Sequence, residues 1–208
     1  MEGRSLQEYI NKNLAEISKY LEQTKTAVFI KEMENWEQDV DKLLDIKKNL
    51  SKINQNKDEI YLKLDMIDQT LRHMEEMNQS KGKEIKRCGE LKKDQKSLYQ
   101  IGVTVKKDIT PFIKIQGDEQ KKIIGKFEED LKTFQKSLRN VAFVKYYTGV
   151  EKSLELVQET KDTITEHEAA LVKYTYYSQM FGFPDAVEGS QKTIENVNSF
   201  ITVIEKLW

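Results

Sequence analysis

The amino-acid sequence predicts an all-α fold, an elongated bundle of long antiparallel helices with coiled-coil-like seams. Residues that interrupt helices are scarce, with two prolines and nine glycines among 208 residues. Charged residues make up 33% of the chain and hydrophobic residues 38%, against roughly 25% and 45–50% in an ordinary globular domain. Apolar residues recur at helical spacing along most of the chain. Such a chain can bury thin apolar stripes along helices rather than one thick core.

The first helix is predicted by apolar residues that alternate at spacings of four and three. One helix face carries Leu6, Ile10, Leu14, Ile17 and Leu21. Ser5 is expected to cap this helix, with Glu8 completing a capping box. We expect a turn near residues 24–35.

The strongest pattern is a heptad seam in the second helix, sustained to Asn78. Its apolar positions, which are also candidates for a helix–helix interface, are Leu43, Ile46, Leu50, Ile53, Ile60, Leu64, Ile67, Leu71 and Met74. Lys57 occupies the one polar position in this register. A helix over residues 43–77 would be roughly 50 Å long, so other long helices are expected beside it.

The middle of the chain is predicted to be less helical. Residues 80–89 are rich in lysine and contain two glycines, which indicates a turn before a short helix over residues 91–99. Residues 101–117 are rich in β-branched side chains, and Pro111 biases Thr110 towards extended geometry. We interpret residues 101–117 as an irregular connector with one short strand.

Helical spacing returns after Asp118, the predicted N-cap of the next helix. A second seam comprises Ile123, Phe127, Leu131, Phe134, Leu138 and Val141. A third stripe, after an interruption at Gly149, comprises Leu154, Val157, Ile164, Leu171 and Tyr174. Residues 181–185 contain Gly182 and Pro184 and predict a helix break. A last helix is expected to open near Ser190.

These patterns predict a long-helix hairpin over residues 1–100, the connector over 101–117 and a helical bundle over 118–208. The last helix stops on the apolar Trp208 in mid-pattern. We therefore expect the chain to be part of a longer protein, with apolar surface exposed at its C-terminal end.

Net charge and apolar runs narrow the classes of partner. The formal net charge is −1, from 34 basic and 35 acidic side chains, so neither nucleic acid nor an acidic membrane is expected as a partner. The longest apolar runs, at residues 27–30 and 141–144, are far shorter than the roughly 20 residues that cross a bilayer. No secretory signal opens the chain, which predicts an intracellular protein.

Two short segments resemble parts of catalytic motifs, but neither motif is complete. Gly125 and Lys126 lack the first glycine and the final Ser or Thr of a phosphate loop. His167 and Glu168 begin a zinc-protease motif, but Leu171 stands in place of the second histidine. The single cysteine, Cys88, has helical spacing to Ile85 and Leu91 and is expected on a core face. We predict a non-enzymatic protein with no catalytic, cofactor-binding or metal site and no cofactor.

Two groups of side chains are candidates for protein contacts. The basic patch consists of Lys81, Lys83, Lys86, Arg87, Lys92 and Lys93, and is expected either to be solvated or to bind an acidic partner. The turn and aromatic set consists of Tyr174, Tyr177, Phe181, Phe183, Pro184 and Trp208, and is expected either to pack a corner between helices or to anchor a partner.

The C-terminal part resembles the entry to the linker of dynein heavy chains. Residues 180–185, Met-Phe-Gly-Phe-Pro-Asp, are similar to the apolar aromatic turn of that family. The stripe from Ile194 to Trp208 resembles the helix that follows it, and residues 127–138, with Phe134, resemble the helix before it. The resemblance covers residues 118–208. The spacer at 186–189 lacks the family's tyrosine–proline pair, and the ATPase ring and microtubule-binding stalk are absent from the sequence.

This resemblance implies a structural, force-transmitting segment at the tail-to-linker region of a microtubule motor, cytoplasmic or ciliary, whose partners are other protein helices. Two alternatives stay open on sequence grounds. One is a stand-alone coiled-coil adaptor that dimerises through the residue 43–77 seam, with Lys57 fixing its register. The other is a membrane-surface helical module that uses the lysines at 81–93.

Overall fold

Residues 2–208 are predominantly helical. The computed structural model describes the backbone of residues 2–208 and the side chains of residues 6–145 and 147–208. Within residues 2–208 it forms five α-helices and no strand, which confirms the predicted all-α bundle. The helices are α1 (Glu2–Val28), α2 (Val40–Glu76), α3 (Gly82–Ser137), α4 (Val150–Phe181) and α5 (Glu188–Leu207). Short 3-10 turns occupy Ile30–Glu32, Leu138–Asn140, Ala142–Val144, Tyr146–Thr148 and Pro184–Val187.

The helices form two compact units, Met1–Phe112 and Ile113–Trp208. α3 supplies its first part to the first unit and its last part to the second. Each unit has a hydrophobic core of its own. The boundary between the units falls inside the segment that the sequence analysis assigned to a connector.

Hydrogen bonds across the first unit connect its helices and show that α2 and α3 are antiparallel. The Tyr20 hydroxyl of α1 lies 3.4 Å from the carbonyl oxygen of Lys52 in α2. The Gln95 amide of α3 donates to the carbonyl oxygen of Lys57 at 2.6 Å. Further along α2, the carbonyl oxygen of Leu64 accepts from the Cys88 thiol at 3.2 Å. Residues later in α2 therefore contact residues earlier in α3, as antiparallel helices require.

The heptad seam of α2 faces the interior of this unit. Seven of its nine apolar residues are buried, namely Leu43, Ile46, Ile53, Leu64, Ile67, Leu71 and Met74. Leu50 and Ile60 are partly buried against the same core. That core also contains Ile10, Leu14, Ile17 and Leu21 of α1 and Cys88, Leu91 and Leu98 of α3. The seam is therefore covered by helices of its own chain.

In the second unit, α5 packs against α4 around a separate core. Its buried members are Leu138, Phe143, Val157, Ile164, Val197, Ile201 and Ile204. Polar contacts at the surface join the same two helices. The Lys161 ammonium lies 2.5 Å from a Glu205 carboxylate oxygen, and the Asn198 amide donates to Glu168 at 2.7 Å.

Two asparagines and an aspartate shape the ends of α2. Asn35 and Asn78 adopt positive φ angles of 55° and 62°, a backbone region that asparagine tolerates better than most residues. The Asp39 carboxylate caps α2 by accepting from the backbone nitrogen of Lys42 at 3.1 Å. The turn predicted over residues 80–89 is shorter than expected, because α3 already begins at Gly82.

The interpretation of residues 101–117 as an irregular connector with a strand was wrong. These residues belong to α3, and Pro111 lies inside that helix. Val105 and Ile109 continue the buried stripe of Leu98 at helical spacing. β-branched residues have a weak helix propensity, but each costs the helix only roughly a few tenths of a kcal/mol relative to alanine. Burial of the apolar stripe outweighs this cost. Asp118 is consequently an interior residue of α3 rather than an N-cap.

Other helix boundaries also differ from the predicted ones. α1 begins at Glu2, so Ser5 lies inside the helix instead of capping it, and its side chain lies outside the described side chains. Only an interruption at Gly149 was predicted in this region, whereas α3 ends at Ser137 and three 3-10 turns lie within residues 138–148. Gly149 has a φ of 89° and precedes α4.

The break after residue 181 is confirmed. Gly182 ends α4 in the left-handed region, with a φ of 84°, as glycine does at many helix C-termini. Pro184 opens the following 3-10 turn. α5 then begins at Glu188, two residues before the predicted Ser190.

Candidate interaction surfaces

A charged cluster joins α2 and α3 beside the core of the first unit. The Lys92 ammonium lies 3.2 Å from carboxylate oxygens of both Asp65 and Asp68, and the Arg72 guanidinium donates to Asp68 at 3.2 Å. Burial opposes the charge of Asp68, but hydrogen bonds from Lys92 and Arg72 hold its pKa below the ordinary range. Burial likewise opposes the charge of Lys92, yet its bonds to Asp65 and Asp68 raise its pKa. The cluster therefore keeps Asp68 and Lys92 charged near neutral pH.

Two of the six residues of the predicted basic patch have polar partners within the chain, and the other four are exposed. Lys92 is paired with two carboxylates, and the Lys81 ammonium donates to the side-chain oxygen of Gln7. The remaining members, Lys83, Lys86, Arg87 and Lys93, are exposed. Binding of an acidic partner by this patch stays a prediction, and it rests on these exposed residues.

Cys88 lies on the core face, as its spacing predicted, and is fully buried. Burial, followed by the nearby charge of Asp68, raises the pKa of its thiol. Because the thiolate is the reactive form, this environment disfavours nucleophilic chemistry. His167 is partly buried between two rings, with ring centroids 6.0 Å from Phe127 and 5.2 Å from Phe134.

The turn and aromatic set packs largely within the second unit. Tyr177 is buried, and the ring of Tyr174 lies 5.0 Å from that of Phe127. Phe181 stacks on Phe183 with centroids 6.2 Å apart. The contact of Tyr174 with Phe127 joins α4 to α3. The two roles expected for this set, corner packing and anchoring of a partner, stay predictions.

Two partners of this set were missed in the sequence. A Cβ atom at Gly117 would lie 3.2 Å from the Phe181 ring, so a glycine allows α3 to approach the end of α4. The indole nitrogen of Trp208 donates to the backbone oxygen of Phe143 at 2.8 Å. Phe143 is buried, and the apolar run at residues 141–144 was its only sequence signal.

Exposed apolar side chains nevertheless remain at the end of α5. Val203 and Leu207 lie one turn apart and are 56% and 72% exposed. Trp208 itself is only partly exposed, because its ring packs against the core of the second unit.

A groove between α2 and α3 in the first unit was not predicted. Its volume is about 550 Å³, and its walls include Lys57, Tyr61, Lys96 and Tyr99. The Lys57 ammonium lies 4.1 Å above the centre of the Tyr99 ring, a cation–π contact. The i, i+4 pair at 57 and 61 and the i, i+3 pair at 96 and 99 were visible signals. Their meeting depends on how α2 and α3 are aligned, which the sequence pattern did not specify.

The described residues offer neither a metal-binding cluster nor a membrane-crossing helix. Among the described residues, no three His, Cys, Asp or Glu side chains are grouped so that they could hold a metal ion. No helix within residues 2–208 combines the length and the apolar character that a bilayer-crossing segment requires.

Comparison with known proteins identifies a limited similarity. No protein-family model matches the chain. The dynein alpha chain of the flagellar outer arm from Chlamydomonas reinhardtii is 23% identical over 104 residues. This match covers 50% of the present chain and 2% of the Chlamydomonas protein. Half of the chain is therefore similar to a short part of one dynein alpha chain.

Proposed function

We propose that this chain is a non-catalytic, force-transmitting segment of a microtubule motor, similar to the tail-to-linker region of a dynein heavy chain. The observation that carries the proposal is the similarity to a dynein alpha chain over half of the chain. The Phe181-Gly182-Phe183-Pro184 turn, which ends α4 as in the family that it resembles, supports it.

The packing of the second unit suits an element that bears load. α4 and α5 are antiparallel, because Lys161 contacts Glu205 while Glu168 contacts Asn198. The core between them is continuous from Val157 to Ile204. Closely packed interiors are stiff and transmit strain, so a pull on one helix of this unit is passed to its neighbour through side-chain contacts.

A non-enzymatic role is part of this proposal. The one thiol is buried, and its raised pKa disfavours the thiolate. His167 faces the rings of Phe127 and Phe134 instead of a nucleophile. In the proposed role the partners are other protein helices of the motor, and the chain works in the cytoplasm or a cilium, on the cytoskeleton.

Nucleotide-sensitive sedimentation with microtubules tests the proposal. An antibody against residues 1–208 would follow the native protein in an extract of its source cells. We expect it to pellet with microtubules when ATP is depleted, to be released by added ATP, and to migrate as part of a large motor complex. A protein that stays in the supernatant under both conditions would contradict the proposal.

A further inference from the structure

The groove between α2 and α3 carries an excess of unpaired positive charge. Lys57 of α2 and Lys93 and Lys96 of α3 contribute to its walls. Within the described part of the chain, none of these three ammonium groups forms an ion pair. Among the residues with described side chains, Asp58 is the only carboxylate on the walls. The groove thus presents three cations without a carboxylate partner against one anion.

Lys92 does not add to this excess. It also lines the groove, but its ammonium is shared by Asp65 and Asp68. That pairing fixes α3 against α2 beneath the groove. The nearly buried Gln95 adds a second fixed point, through its hydrogen bond to the carbonyl oxygen of Lys57. The walls are therefore held in place before any partner binds, which lowers the entropic cost of binding.

Between the charges the walls are mostly apolar. Tyr61 is 59% exposed and contributes a ring face, and Tyr99 lies beneath the ammonium of Lys57. Lysine side chains add their aliphatic stems to such surfaces while their charges stay in water. A volume of about 550 Å³ lies in the range of ligand sites, roughly 300–1,000 Å³.

We propose that this groove binds an acidic peptide segment of a partner protein. Its carboxylates pair with Lys57, Lys93 and Lys96, and one of its apolar side chains packs on Tyr61. Lys93 and Lys96 lie about one helical turn apart, roughly 5 Å along α3. This spacing allows each ammonium to pair with a different carboxylate of the same acidic peptide. A nucleic-acid backbone is disfavoured, because the chain has a formal net charge of −1 and offers no long-range attraction for a polyanion.

Fluorescence anisotropy with the full chain tests this inference. The probe is a short labelled peptide that alternates glutamate and leucine, titrated at low salt. The groove variant combines Lys57→Gln, Lys93→Gln and Lys96→Gln. We expect about tenfold weaker binding, as for the loss of three exposed ion pairs of modest strength. Circular dichroism would check that the groove variant and its control variant remain helical.

The matched control removes the same charge outside both the groove and the basic patch, through Lys48→Gln, Lys106→Gln and Lys107→Gln. These residues are exposed and do not line the groove. Binding by the control should stay within about threefold of the native chain, because only long-range attraction is lost. An equal loss in both variants would mean unspecific attraction and would overturn the proposal.

Tyr61→Ser tests the apolar half of the site without a change of charge. Tyr9→Ser is its control, because Tyr9 is similarly exposed but belongs to α1. We expect several-fold weaker peptide binding only for the first. Vesicles that contain phosphatidylserine form a separate arm. Absence of peptide binding, or groove-dependent binding of vesicles in its place, would contradict the assignment to an acidic peptide.

Discussion

The side chain of Trp208 is anchored to Phe143, since its indole nitrogen donates a 2.8 Å hydrogen bond to the Phe143 backbone oxygen. The bond fastens the end of α5 to the 3-10 turn at Ala142–Val144. Phe143 itself is buried in the core of the second unit. A residue at the end of the sequence therefore takes part in the packing of that unit.

Removal of this bond should destabilise the second unit. Trp208→Phe keeps an aromatic ring but loses the donor, and we expect the free energy of unfolding to fall by about 1 kcal/mol. Urea denaturation followed by circular dichroism would measure the change. Leu207→Ala is the control, with an expected effect within about 0.5 kcal/mol because Leu207 is exposed. Equal stability of Trp208→Phe and the native chain would argue against the contact in solution.

Two leucines two residues apart on α2 should respond very differently to truncation. Leu64 is fully buried in the seam, whereas Leu62 is 59% exposed. Leu64→Ala should cost about 2–5 kcal/mol, through lost burial and the cavity left behind. Leu62→Ala should cost less than about 0.5 kcal/mol. Thermal unfolding of both variants checks the seam's orientation, and comparable losses would show that α2 is rotated.

The pair of Asp68 and Lys92 should stabilise the chain only between two pH limits. The pKa of Asp68 is lowered in the folded state, so its contribution is lost as pH falls from about 3.9 through that lowered pKa. The pKa of Lys92 is raised, so its contribution is complete below about pH 10.4 and is lost as pH rises through the raised pKa.

A double-mutant cycle with Asp68→Asn and Lys92→Met measures this coupling. Both side chains are less than a third exposed, and we expect about 1 kcal/mol at pH 7. The coupling should weaken as pH falls below about 3.9, because protonation of Asp68 removes its charge. A coupling that does not weaken with falling pH would have to come from packing rather than from charge.

Substitution of Pro111 should stabilise α3. Pro111 lies inside the helix, where a proline removes one backbone hydrogen bond and costs about 3 kcal/mol. Pro111→Ala should raise the free energy of unfolding by about 1–3 kcal/mol. The gain is smaller than the full cost of the proline, because alanine also gives the unfolded chain more conformational entropy. Lys114→Ala, at an exposed site in the same helix, serves as the comparison. A loss of stability in Pro111→Ala would indicate that the local geometry requires the proline.

Periodicity predicted the parts of the fold that depend on burial along one helix. The heptad spacing of Leu43 to Met74 identified the buried face of α2, because the same apolar stripe that forms the pattern forms the core. Gly182 and Pro184 located the break after α4, because their backbone geometry is local. The buried position of Cys88 was predicted from its helical spacing to apolar neighbours, as it was for the seam.

The remaining features depend on contacts between distant segments. In residues 101–117 the β-branched composition and Pro111 favoured an irregular connector, and only packing of Val105 and Ile109 shows why a helix prevails. The Lys57–Tyr99 contact required the alignment of α2 with α3. The bond of Trp208 to Phe143 joins a side chain to a backbone oxygen, which no sequence pattern encodes.

Light scattering across a concentration series measures most directly whether the heptad seam closes within one chain. Because Leu43, Leu64 and Leu71 are already buried by helices of their own chain, we expect a mass of 24.4 kDa at every concentration. A stable dimer of twice that mass at low concentration, abolished by Leu64→Asp while the chain stays helical, would contradict this packing and make the seam an interface between chains.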